Sequence, residues 1–246
     1  MKDSYVLVVG ANSAIGRAVC LRYGKKNRIL LAGRDAAEIE TVAADLRIRT
    51  GTTVATVAHD AMTTDAAAFF ARCLDLAGND LDGIVICQGL MDEGDHAKND
   101  PNALARIVSV NFTSAAAILT AASAWFEQRK RGFLVGVGSV AGDRGRQSNY
   151  PYGAAKAAFA TWLDGLRHRL FPAGITVVTV KPGFVDTGMT WGLRGLFLVA
   201  SPDSVARDVE RAVEKRRTVV YTPWFWRWIL MIIRAVPTPI FLRSKL

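Results

Sequence analysis

Apolar residues along this chain gather in short, nearly unbroken runs: YVLVV (5–9), RILLA (28–32), TVATV (53–57), GIVIC (83–87), FLVGV (133–137), ITVVTV (175–180) and TVVY (218–221). They are rich in Val and Ile, and neighbouring positions are apolar together, so both faces of each strand must be covered. Between them lie stretches of helical length and composition, among them 14–25, 35–49 and 103–129. Strands buried on both faces and separated by helices predict a Rossmann-type doubly wound α/β fold, a parallel sheet of about seven strands with helices on each side. Such sheets bind ligands beyond the carboxyl ends of their strands, so the residues after each run carry the candidate chemistry.

Half of the 246 residues are apolar, ample for one core. With no repeat and no low-complexity linker, the expected organisation is one domain over 1–221 and an amphipathic extension over 222–246. Cys20, Cys73 and Cys87 are odd in number and form no C-x-x-C pair, and His59, His96 and His168 are scattered, so neither a disulfide framework nor a metal site is expected. The opening apolar run stops at Gly10, too short for a secretory leader, and the expected location is the cytoplasm. The net charge of +9 is uneven: residues 207–246 hold nine Lys and Arg against three Asp and Glu. Those cations are mixed with Trp and Leu rather than set in a recognised nucleic-acid motif, so nucleic acid is not an expected partner.

After the first strand comes GANSAIG, with Gly10 and Gly16 bracketing Asn12, Ser13 and Ile15. A glycine turn feeding a helix N-terminus offers free N–H groups and a positive dipole end to a pyrophosphate, although a turn with no ligand has the same look. The second strand ends in Gly33 and Arg34, where an acid would bind ribose hydroxyls and an arginine would accept a 2′-phosphate. Asp35 is the alternative acid, but with Glu38 three residues on it reads as a helix cap and capping box. NADP(H) is therefore expected over NAD(H). Farther on, Tyr152 and Lys156 stand four apart at the head of an alanine-rich stretch and share one helix face. A solvated surface pair is the plain alternative.

GANSAIG, VNFTS with Asn111, VGVGSVAG with Ser139, YGAAK with Tyr152 and Lys156, and KPGFVDT over 181–187 occur together in one order, and over about residues 5–220 the chain resembles the short-chain dehydrogenase/reductase family. The resemblance implies an NAD(P)-dependent oxidoreductase that reduces a ketone to a secondary alcohol. Tyr152 would give the proton, Ser139 would polarise the carbonyl, and Lys156 would lower the phenol pKa with Asn111 completing a relay. Cofactor contacts implied in the same way are Gly10, Asn12, Ser13, Ile15, Gly16, Arg34, Asp60, Gly89, Lys156, Pro182, Gly183, Val185 and Thr187. Asp60 is also a candidate cap for a helix starting near Thr64. Two departures stand out. Ala14 replaces a glycine, and ICQG (86–89) retains only the last residue of the family's N-N-A-G.

The segment after this last motif, 188–200, is dominated by Met189, Trp191, Leu193, Leu196, Phe197 and Leu198, an apolar lid suited to a substrate with a greasy portion. Residues 222–246 begin with Pro223 and then run mostly apolar to Pro237, too short to span a bilayer. Arg227 and Arg234 lie opposite Trp224, Phe225, Trp228, Ile229 and Ile232, the make-up of a helix in a membrane interface and equally of a homo-oligomer contact. Contact with lipid would put the protein at the inner face of the membrane. GDRGRQSNYPYGAAKA and this tail are together similar to bacterial reductases of a keto-pentose carried on a polyprenyl phosphate; that likeness implies a lipid-linked carbonyl substrate, with Arg144 and Arg146 near its phosphate.

Overall fold

The computed structural model describes residues 4–91, 96–191 and 197–244. The seven runs form β1 (Tyr5–Val9), β2 (Arg28–Gly33), β3 (Val54–Ala58), β4 (Leu81–Ile86), β5 (Phe133–Val137), β6 (Thr176–Pro182) and β7 (Val219–Thr222). Their predicted ends are displaced by two residues at most. All pair in parallel in the order β3-β2-β1-β4-β5-β6-β7, which reverses direction between β1 and β4. The unbroken runs are explained by two cores. Tyr5, Leu7 and Val9 of β1 face one, and Val6 and Val8 face the other.

Helices α1 (Ala14–Tyr23), α2 (Ala36–Thr50) and α7 (Pro202–Glu214) cover the Val6 side; α3 (Ala66–Leu76), α5 (Ser114–Arg129) and α6 (Tyr150–Leu170) cover the other. Helix α4 (Pro101–Val108) precedes α5, and α8 (Trp226–Ala235) with α9 (Thr238–Phe241) ends the chain. The expected helix at 14–25 closes earlier, with Gly24 as its cap. The stretch expected as one helix over 103–129 starts at Pro101 and contains a π-helical turn at Ser109–Thr113, which carries Asn111. This run is long and apolar enough to cross a membrane, yet Ala115, Ile118, Leu119, Ala122 and Phe126 within it are core residues.

The tail is anchored rather than appended. Trp226 and Leu230 are buried against Val140, with Phe184, Phe225, Ile229 and Ile233 packed around them. Phe225 and Ile229 therefore face the protein, which corrects the expected outward face. Trp224, Trp228, Met231, Ile232, Ile240 and Leu242 are the exposed large apolar members of the tail.

Candidate active site

At the sheet's reversal point the turn after β1 meets the turn after β4. Gly10 has φ +80°, and a Cβ there would lie 2.6 Å from Gln88 N; a Cβ on Gly16 would lie 2.3 Å from Gly10 O. Only glycine fits either place. Ser13 caps α1, accepting from Gly16 N at 3.0 Å and donating to Gly10 O at 2.8 Å. Ala14 is the first helical residue, outside the positive-φ set, so the methyl replacing the family's glycine imposes no left-handed strain. The tight turn and the open helix end form a cradle that fits a dinucleotide pyrophosphate.

Beside it, Asn12 Nδ2 donates to Glu38 Oε2 at 2.8 Å, and Arg17 pairs with Glu38 Oε1 at 2.8 Å. Asp35 caps α2 through Glu38 N at 2.9 Å. Half of the expected capping box is thus present, while the Glu38 carboxylate is drawn to Arg17 and Asn12. Arg34 is exposed and has no partner among the described residues. The Asp60 carboxylate accepts from Met62 N at 2.9 Å, closing its own turn, and α3 is capped by Asp65 instead, through Ala68 N at 2.7 Å. Asp60 therefore does not serve as the helix cap.

The missing asparagines after β4 are replaced by a contact that sequence reasoning missed. Gln88 Nε2 donates to Val110 O at 3.0 Å, and its Oε1 lies 3.1 Å from His59 Nε2. The bridge ties β4 to the π-turn and to the end of β3. His59 is buried against Phe69, and burial lowers its pKa. A histidine after a strand carries no pattern that points to a glutamine far along the chain.

The remaining site residues come together beyond β4 and β5. Tyr152 is half-buried with Ser139 beside it; desolvation pushes its phenol up to about 12, and Ser139 acts in the lowering direction. Ser139 Oγ also accepts from Ala141 N at 3.1 Å, capping the turn that follows β5. Lys156 is 3% exposed, its Nζ donating to Val137 O at 3.0 Å and standing 5.8 Å from the Tyr152 ring centre. Burial pushes the ammonium down to about 8. In the protein alone desolvation decides the direction of the phenol pKa, and Ser139 is the group that acts against it.

Asn111 is 1% exposed, its Nδ2 donating to Leu90 O at 2.7 Å and Ile107 O at 2.9 Å. These bonds brace the π-turn. The space over Gly89 has Asn111 Oδ1 and Lys156 Nζ on its border, 3.2 and 3.5 Å from where a Cβ would stand.

Past β6, Pro182 is buried and Gly183 lies beneath the Trp226 ring. Val185 bridges to Ala200, and its carbonyl accepts from Thr190 Oγ1 at 2.6 Å; Thr187 and Thr190 form a capping box. Leu193 and Leu196 of the expected lid lie outside the described residues, whereas Trp191 (87%), Phe197 (53%) and Leu198 (50%) are exposed. Arg144 does not face the site. Its guanidinium donates to the carbonyls of Ile233, Arg234 and Val236 and lies over the Phe241 ring, which corrects its assignment as a phosphate contact.

A family model described as short chain dehydrogenase matches residues 4–195. The chain is 30% identical over 232 residues to an uncharacterized oxidoreductase of Mycobacterium tuberculosis, covering 94% of this chain and 93% of that one. With an uncharacterized oxidoreductase of Myxococcus xanthus the identity is 31% over 239 residues, 96% of this chain and 93% of the other. A solved short-chain dehydrogenase from Sphingobium yanoikuyae in complex with NADPH superposes with a TM-score of 0.82 at 25% identity, covering 96% and 97% of the two chains. The glycine cradle at the reversal point, Ser139 beside the Tyr152 phenol and the buried Lys156 agree with these likenesses: the chain belongs to the short-chain dehydrogenase family and is an NAD(P)-dependent oxidoreductase.

Proposed function

We propose that the protein uses NADPH to reduce a ketone to a secondary alcohol, and that its substrate joins an apolar chain to a polar, anionic carbonyl-bearing head. The observation that carries this reading is Ser139 set beside the half-buried Tyr152 phenol, with the buried Lys156 one turn along the same helix. When bound, the cofactor supplies hydride to the carbonyl carbon. Tyr152, kept protonated by burial, gives its proton to the carbonyl oxygen, and Ser139 donates a hydrogen bond to that oxygen as negative charge develops. Lys156 stands by as the cation that favours the resulting tyrosinate, and Asn111 fixes the wall of the relay beside it. Gly10, Asn12, Ser13, Ile15 and Gly16 would hold the pyrophosphate end, Asp60 and Gly89 the adenosine side, and Pro182, Gly183, Val185 and Thr187 the nicotinamide.

NADPH is favoured over NADH because β2 ends in a glycine followed by an unpaired arginine, while the nearby Asp35 and Glu38 carboxylates are already engaged. Arg34→Ala is expected to lower kcat/KM for NADPH by roughly 10- to 100-fold, the worth of a charge-assisted hydrogen bond to phosphate, and to leave NADH use nearly unchanged. Steady-state kinetics with both cofactors checks this; equal losses for the two would remove Arg34 from that role.

The pH dependence follows from the two displaced groups. Lys156 is charged below about 8 and Tyr152 stays protonated well above that, so ketone reduction has a plateau at neutral pH and falls as Lys156 loses its proton on the alkaline side. A rate profile that stays level through pH 9.5 would contradict the part given to Lys156.

The greasy portion is supported by the exposed Met189, Trp191, Phe197 and Leu198 after the nicotinamide segment, where Phe197 packs on Trp226 of the tail, and by the outward Trp224, Trp228 and Ile232. An anionic head is supported by the half-buried Arg146, in the loop between Ser139 and Tyr152, whose buried Nε has no hydrogen-bond partner among the described residues. A keto sugar on a polyprenyl phosphate has both features, and the outward tail residues would rest on the membrane that holds it, keeping the enzyme on the cytoplasmic face. Turnover of NADPH with polyprenyl-linked keto sugars, 3-oxoacyl thioesters and simple ketones in parallel tests the reading. Preference for the soluble thioesters would replace the lipid-linked substrate.

A further inference from the structure

A second hollow, of about 730 Å³, lies between the outer side of β7 and α8, apart from the residues of the reaction centre. Its walls include Asp143, Thr218, Tyr221, Arg227, Met231 and Arg234. The one carboxylate in it is already satisfied: Asp143 is almost wholly buried, pairs with Lys181 at 2.5 Å and accepts from Tyr221 OH at 2.6 Å. The two arginines are not satisfied. Neither guanidinium has a carboxylate partner among the described residues, and Arg227 meets only the Trp228 ring, at 6.0 Å. Both act on the Tyr221 phenol in the lowering direction, against burial and Asp143, which places their charge at the Tyr221 end of the hollow.

The helix periodicity explains why they gather there. Trp226, Leu230 and Ile233 turn to the protein and Trp228 and Ile232 turn outward, so Arg227, Met231 and Arg234 occupy the flank between those faces. With Asp143 offset by Lys181, the hollow keeps two uncompensated positive charges. Their planar forks match the oxygens of a tetrahedral oxyanion.

We infer that the hollow bounded by β7 and α8 is a phosphate-binding site, taking the phosphate of a phospholipid headgroup or of a soluble phosphate compound between Arg227 and Arg234. It is separate from the dinucleotide cradle and from Arg146, and it does not depend on which ketone is reduced. The outward Trp228 and Ile232 beside it would put a lipid phosphate at the depth of the two arginines.

The test uses the full chain with its cofactor site filled by NADP+. Phosphorus NMR line widths report binding of inorganic phosphate, and sedimentation reports binding to phosphatidylcholine vesicles with and without phosphatidylglycerol. The double variant Arg227→Gln, Arg234→Gln is compared with a charge-matched control, Arg49→Gln, Arg72→Gln, whose side chains lie on the exposed surfaces of α2 and α3. Loss of two charge-assisted contacts is expected to weaken binding by about tenfold or more in the double variant alone. Broadening of inorganic phosphate that is lost only in the double variant supports the site with a soluble source; an effect seen only with phosphatidylglycerol vesicles supports it with a lipid source. Equal behaviour of the two double variants, or no binding of either probe by the unaltered protein, would overturn it. Circular dichroism melting of each variant verifies that folded protein is compared.

Discussion

Tyr152→Phe is expected to lower kcat for ketone reduction by about 10²- to 10⁴-fold, the usual contribution of a positioned proton donor, while NADPH binding changes little. The substitution removes one oxygen and keeps the half-buried ring, and it leaves Ser139, Lys156 and the glycine cradle in place. The phenol is the proton source best placed for the carbonyl oxygen. Ser139 accepts from Ala141 N and keeps its O–H to donate a hydrogen bond, but an alkyl hydroxyl is far too weak an acid to give up that proton, and Lys156 Nζ donates to Val137 O. Fluorescence titration of NADPH and single-turnover rates separate binding from chemistry. A variant that retains more than a tenth of the turnover would remove Tyr152 from its assigned step.

The second large effect is expected at Gly183. A Cβ there would lie 1.9 Å from Trp226 Nε1 and 2.1 Å from its Cε2, so the indole rests directly on the glycine backbone. Trp226 is 3% exposed, and its ring packs 5.6 Å from those of both Phe184 and Phe197. The far end of α8 is held by Arg144 through three carbonyls. With neither end free to yield, Gly183→Ala is expected to destabilise the protein by about 1–3 kcal/mol through overpacking. It would also displace the segment that carries Val185 and Thr187, lowering kcat/KM for NADPH. Adding Trp226→Ala removes the clash, so the double variant should be more stable than the sum of the single effects predicts. Denaturant midpoints for the four proteins check this; strict additivity would mean that the contact does not carry the strain.

The strands, their parallel pairing and the shared face of Tyr152 and Lys156 were legible from local signals, an apolar run or a helical i,i+4 spacing, whereas Ser139 entered through the family resemblance alone. The surroundings of Tyr152 and Lys156 were not legible: desolvation acts on the phenol and the ammonium in opposite directions, pushing one up and the other down. Contacts between distant segments left no such trace. Gln88 reaching His59 and Val110, Arg17 taking Glu38 from its capping box, and Arg144 closing the end of α8 join residues far apart in the chain, and no periodicity connects them. The π-turn at Asn111 was hidden for another reason. One extra residue in a helical turn leaves composition unchanged; the Ser114 N–H reaching Ser109 O reveals it, and the Asn111 bonds to Leu90 and Ile107 brace it.

Hydride delivery to a ketone within the Ser139–Tyr152 pocket is the central claim, and isotope transfer tests it most directly. NADPH carrying deuterium on the transferable C4 position is incubated with the preferred ketone, and the alcohol is examined by mass spectrometry. The account predicts one deuterium on the carbinol carbon with the unaltered protein and almost none formed by Tyr152→Phe in the same time. An alcohol without the label, or equal labelled product from both proteins, would contradict it.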